Sequence, residues 1–277
     1  MAVNTLVQLL DKSGQVAAED ATIRQAIYAA IARSPVLNAI PWMGVSVSGS
    51  YSFNQVDRAA LTRTAKNVSH YTVTGSVRDT TVLAAQDLGT TVENLIINGV
   101  IASSFDGINA LTLGSASGAA SSGYTSPDQQ TISMGANGST LTLAKLDELI
   151  LFTQQRTGVK PSLLIMAPRS WGTVSALARN AANPVTDSFD KLGRFAPYYN
   201  GIPIVSSWSV SMTETQGSNT DCSRIFCVTT GENYLHGIHD LSALYGVEEI
   251  SSTQYQMKLA LALKDANCVT KLVGVRP

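Results

Sequence analysis

The feature that most constrains this chain is a pair of period-two segments with nothing beside them to lie on. GVSVSGSYSF, starting at residue 44, and VSHYTVTGSV, starting at residue 68, alternate small polar residues with Val, Tyr or Phe, the pattern of a β-strand. Between them runs QVDRAALTRTAKN, polar and basic, with Arg58, Arg63 and Lys66. Two such strands with a polar tip make a long hairpin over 44–78. An isolated two-stranded hairpin is marginal in water, so it must lie on something, and no neighbouring segment supplies a partner.

Charge points the same way. Only 14% of the 277 residues are Asp, Glu, Lys or Arg, where soluble domains carry roughly 25%. Hydrophobic content is ordinary at 44%, so Ser, Thr, Gly, Asn and Gln have replaced the missing charge. A free monomer spreads both signs of charge over its surface. A chain this sparsely charged is expected to hide much of its surface against other copies. The net charge of −1 excludes a highly basic nucleic-acid binder held mainly by phosphate contacts. The length suits one large domain or two small ones.

Three cysteines, at 222, 227 and 268, form no disulfide framework and fit a reducing compartment. The opening MAVNTLVQLLDKSGQVAAED has neither the basic region nor the apolar core of a secretory signal. No run of about 18 apolar residues exists to span a membrane. A soluble protein made in a cytoplasm is expected.

Residues 1–19 read as an arm that orders against a partner, and DATIRQAIYAAIARSP as a short amphipathic helix over 21–33 that ends before Pro35. Leu83, Leu88, Val92, Leu95 and Ile96 fall on one stripe of a long helix over 79–104. A Gly/Ser-rich loop follows, with a short strand at TISM. LTLAKLDELILFTQQR, over 141–156, is the clearest helix, with Leu143, Leu146, Leu149, Ile150 and Thr153 on one face. KPSLLIMAP predicts a buried strand, Pro168 the start of a third helix, and Asn200-Gly201 a turn into a strand. RIFCVTT, NYLHGI, ALYGVEEI, TQYQMKLALAL and CVTKLVGV are all strands. Helices early and strands late, without βαβ alternation, predict an α+β fold.

No chemistry stands out. Cys222-x4-Cys227 followed by His236-x2-His239 superficially matches a zinc site. However, Cys222 lies in the polar GSNTDCS and Cys227 inside a strand, and the spacing is short for a finger. Ser188-Phe-Asp-Lys191 matches S-x-x-K, but the companion motifs of Ser–Lys acyl enzymes are missing. Asp147/Glu148 are helix neighbours that share no face, and Glu248/Glu249 are strand neighbours that point to opposite faces. Neither pair suits acid–base work. No phosphate-cradling glycine motif occurs. No catalytic, cofactor-binding or metal-binding residue is assigned, and no enzyme is expected.

The order of segments is more telling than any one of them. SPVLNAIPWMGVSVSGSYSFNQ is followed by NLIINGVIASSFDGINAL, then LTLAKLDELI, KPSLLIMAPRSW, YYNGIPIV and a closing YQMKLALALKDANCVTKLVGV. From about residue 23 onward the chain resembles the major capsid proteins of tailed bacteriophages, which have the Hong Kong 97 fold. The resemblance implies an N-arm at 1–43 and an extended E-loop hairpin at 44–78. It implies a P-domain at 79–140 with 240–262, built on a spine helix, and an A-domain at 141–239 with 263–277. It further implies self-assembly into hexamers and pentamers of an icosahedral shell around double-stranded DNA, which the wall contacts weakly and non-specifically. Scaffold, portal and decoration proteins would be partners, with synthesis in a host bacterial cytoplasm and residence in the virion capsid. An encapsulin-like compartment is the alternative within the same fold, and a Ser188/Lys191 hydrolase the alternative outside it.

The sequence departs from many relatives in having Val100 where they carry an acidic residue, and it lacks a scaffold-like N-terminal extension. Only Lys66 is available for the Lys–Asn cross-link of some relatives, and a solvated lysine is the far commoner role for such a residue. In the expected intersubunit contact, Arg58, Arg63 and Lys66, flanked by Tyr51 and Phe53, meet Glu248 and Glu249 of an adjacent subunit.

Overall fold

The computed structural model describes residues 36, 39–45, 50–57, 62–69, 71–76, 131–180, 185–189, 195–208, 210–240, 247–251 and 254–276. The helices expected over 21–33 and 79–104, the loop up to residue 130, Arg58 and Lys191 lie outside these residues. In chain order the first strands are β1 (Trp42–Val45), β2 (Ser50–Asp57), β3 (Thr62–Ser69), β4 (Tyr71–Ser76), β5 (Thr131–Ser133) and β6 (Ser139–Thr140). Helix α1 (Leu143–Thr157), β7 (Leu163–Met166), helix α2 (Pro168–Asn180), β8 (Thr186–Phe189), β9 (Phe195–Tyr199) and β10 (Ile202–Ser206) follow. Among the described residues the elements that follow are strands: β11 (Glu214–Gln216), β12 (Asn219–Val228), β13 (Leu235–Asp240), β14 (Val247–Ser251), β15 (Gln254–Leu263) and β16 (Val269–Arg276).

The larger sheet has nine strands in the order β5-β16-β12-β7-β10-β9-β8, with β11 beside β12 and β6 beside β16. Its centre, β7, is buried at all four residues, because a strand covered on both faces needs an unbroken apolar run. Leu146, Leu149 and Ile150 of α1 close one face, packing in one cluster with Leu164, Met166, Ile225, Cys227 and Leu272. Thr142 caps α1 by accepting from Lys145 N at 3.3 Å. Gly158, at φ 73°, ends the helix in the left-handed conformation, where only a residue without a Cβ is unstrained. The β9–β10 hairpin turns on Asn200 (φ 50°) and Gly201 (φ 71°), both left-handed as a two-residue turn with the twist of its strands requires.

The smaller sheet has five strands built around β15, which pairs antiparallel with β13, β14 and β4, while β1 adds to β13 in parallel. Trp42 of β1 is fully buried and lies opposite Gly237. Strands β2 and β3 form the hairpin, a separate two-stranded sheet.

The strands cross the segment boundaries that the family resemblance implied. VSHYTVTGSV does not form one hairpin strand: its first residues end β3, and β4 joins the five-stranded sheet. Strand β13 belongs to that same sheet rather than with 141–239, and β5 and β6 pair with β16 in the nine-stranded sheet rather than with 79–140. Strand pairing is set by long-range partners that local alternation does not encode.

Candidate assembly interface

The hairpin is longer on its basic side than the sequence suggests. Tyr51 pairs with Val68, Phe53 with Lys66, Val56 with Arg63 and Asp57 with Thr62. Arg63 and Lys66 therefore stand in strand β3, paired with Val56 and Phe53, and not at the tip. A strand with polar residues on both faces shows no apolar alternation, so its extent cannot be read from hydrophobic pattern. Arg63 is exposed.

The turn end of the hairpin has partners inside the chain, contrary to the expectation of none. Phe53 and Gln55 are buried while Asn54 is exposed, so one edge of β2 is seated. Gln55 Nε2 donates to Leu263 O at 2.9 Å, Val56 N to Lys264 O at 2.7 Å, and Ala266 N to Val56 O at 2.9 Å. The receiving segment, residues 264–268, joins β15 of one sheet to β16 of the other. It is braced from both sides: Lys264 N donates to Tyr234 O at 3.0 Å, and Thr229 N to Cys268 O at 2.7 Å. Buried Asp265 accepts from Asn267 N at 2.9 Å, and Asn267 Oδ1 accepts from Arg156 Nη2 of α1 at 2.8 Å. The guanidinium of Arg156 lies 5.2 Å from the centre of the Phe152 ring. Hairpin, helix and both sheets thus meet at one connection, which holds the turn end of the hairpin against the body.

Glu248 and Glu249 lie on β14, in register with Gln256 and Tyr255. Among the described residues β14 pairs only with β15.

Two exposed apolar features escaped the sequence reading. Trp208, on the loop after β10, is 79% exposed, and Leu151 of α1 is 55% exposed. Leu151 walls a groove of about 460 Å3 between α1 and β5, with Ile132, Phe152, Gln155 and the Lys145–Glu148 ion pair (2.7 Å) around it. The available signal was Trp208 itself, a tryptophan set in the serine-rich SSWSVS.

The other residues weighed for chemistry are core or bracing groups. Cys222 is not in a polar loop: it is fully buried in β12, as is Cys227. Burial pushes the Cys227 thiol up to about 12, and burial followed by the Asp265 carboxylate holds Cys268 well above the ordinary thiol range. His236 is buried in β13, on the other sheet, and burial followed by the Lys264 charge pulls it down to about 4. Among the described residues no three His, Cys, Asp or Glu side chains converge on a metal position. Asp147 accepts from Tyr199 Oη (2.9 Å) and Asn200 Nδ2 (2.7 Å), whereas Glu148 bonds Lys145. Ser188 sits in edge strand β8, opposite Ala196. Among the described residues no helix is long and apolar enough to cross a membrane.

No sequence family and no curated protein matches the chain. Its fold does have counterparts among solved structures. A subunit of the encapsulin complex from Synechococcus elongatus aligns over 88% of both chains with a TM-score of 0.56 and 17% identity. A virus-like particle from Pyrococcus furiosus aligns over 92% of this chain and 99% of its own, at 0.54 and 11%. The capsid of Ralstonia phage GP4 aligns over 87% and 88%, at 0.51 and 12%. The architecture is the α+β, Hong Kong 97-like capsid fold.

Proposed function

We propose that this chain is the structural subunit of an icosahedral capsid enclosing the double-stranded DNA of a tailed phage. The observation that carries the reading is the hairpin. Its turn end is held through Gln55 and Val56 at the connection between the two sheets, while Arg63, paired with Val56 on the other strand, is exposed. An exposed cation held beside such a seat is placed to meet a neighbouring copy. The likeness to subunits of an encapsulin, a virus-like particle and a phage capsid, across most of each chain, supports the same role.

In this reading residues 1–43 are the N-arm and 44–78 the hairpin region, with strands β2 and β3 within 50–69. The five-stranded sheet belongs to the P-domain and the nine-stranded sheet to the A-domain. The subunit forms hexamers and pentamers, with Arg58, Arg63 and Lys66 meeting Glu248 and Glu249 of the next copy. Scaffold, portal and decoration proteins complete the particle. Its role is structural, and its place is the virion. An encapsulin-like compartment is the second reading, favoured by the TM-score of 0.56 to an encapsulin subunit. Particles purified from the producing cells separate the two. Nuclease-protected duplex DNA supports the phage shell, and a co-purifying protein cargo without DNA supports the compartment.

A further inference from the structure

Trp208 and the α1–β5 groove form a knob and a hole on the same domain, and they cannot meet within one chain. In the nine-stranded sheet β10, which carries Trp208 on its following loop, lies four positions from β5, which borders the groove. At about 4.8 Å per strand the two are roughly 19 Å apart across the sheet. Their chemistry nonetheless matches. The apolar wall of Leu151 and Phe152 fits the indole face, and about 460 Å3 accommodates one indole. The rim carries the Lys145 ammonium, a cation of the kind that packs on a ring face, and the Glu148 carboxylate, an acceptor for an N–H donor, the two paired at 2.7 Å.

We propose that Trp208 of one copy inserts into the α1–β5 groove of the next copy, forming the head-to-tail contact that closes each hexamer or pentamer. Complementary patches at separate places on one molecule generate rings when the rotation closes, and open filaments when it does not. An exposed tryptophan entering an apolar pocket is the commonest kind of interface anchor. The proposal rests on the shell reading above and adds to it the residues that make the ring.

The test mixes two single-cysteine variants, W208C and L151C, and adds a short thiol-reactive cross-linker. The native cysteines are buried and do not compete. The expected result is a covalent dimer only when both variants are present, with the bridge mapped between positions 208 and 151. Trp208→Ala and Leu151→Asp should each keep the unfolding profile of the unassembled subunit and weaken ring formation by at least about 30-fold, the size of a lost aromatic anchor. Shells that assemble at the wild-type rate from Trp208→Ala subunits, with no 208–151 bridge, would overturn the contact while leaving the shell reading intact. Wild-type protein that never associates would overturn both.

Discussion

Trp42 and Gly237 provide a test in which the sign of the effect decides. Trp42 is fully buried, faces Gly237 across the parallel β1–β13 pair, and fastens β1, between the N-arm and the hairpin, to the smaller sheet. A Cβ at position 237 would overlap Cε3, Cδ2 and Cζ3 of the indole, and even the farthest, Cζ3, would be 2.6 Å away. Carbon atoms pack at about 3.5–4.0 Å, so the ring must retreat by about 1 Å or more. Overpacking of this kind costs about 1–3 kcal/mol, and expelling the ring about 3–5 kcal/mol. At an open strand position the same change would instead gain about 0.5–1 kcal/mol by removing glycine's backbone freedom. Gly237→Ala is therefore expected to destabilise the unassembled subunit by about 2 kcal/mol, a fall in Tm of roughly 4–8 °C. Trp42→Ala alone should cost about 3–5 kcal/mol. In the Trp42→Ala background, Gly237→Ala should become neutral or stabilising, giving a coupling of about 2–3 kcal/mol. Urea unfolding of the four proteins of this cycle at low concentration gives the numbers. A Gly237→Ala subunit as stable as wild type, or more stable, would refute the packing of β1 on β13.

Other outcomes follow from the same structure. His236 titrates near 4 when folded against about 6.5 when unfolded, so the unfolded state binds the extra proton first. Its contribution is full above about pH 6.5 and is lost as pH falls toward 4, up to roughly 3 kcal/mol. His236→Leu should flatten that part of the pH–stability curve, and an unchanged curve would show that another group controls it. Charge reversal at Arg58 and Arg63 should block assembly of folded subunits, since ion pairs desolvated at an interface lose several kcal/mol on disruption against about 1 or less when exposed. Wild-type assembly rates in that variant would remove these arginines from the contact. With a net charge of −1, subunits should bind duplex DNA weakly and with a shallow salt slope. A slope equivalent to about six or more phosphate contacts per subunit would contradict a near-neutral inner wall.

Much of the larger sheet was legible because its signals are local. The Leu146-Leu149-Ile150-Thr153 stripe marked α1, the four-residue apolar run marked β7, and Asn200-Gly201 marked the turn between β9 and β10. What was not legible depended on distant partners. The extent of β3 was hidden because TRTAKNVS is polar on both faces. Cys222 looked like a loop residue because the outer half of β12 is polar, yet the cysteine packs against Gly138 and is fully buried. The seat of the hairpin is made largely by backbone groups of 263–266, which leave no mark on side-chain pattern. Trp208 was overlooked because one exposed aromatic has no periodicity to detect.

Mass photometry of the purified protein, with negative-stain imaging of the same sample, decides whether this chain builds a closed shell from many copies of itself. Measurements should span salt and protein concentration, with and without a co-expressed scaffold. The account expects discrete rings of five or six subunits and closed particles of uniform diameter and megadalton mass. A monomer, or a small oligomer of fixed size, under every condition would contradict it.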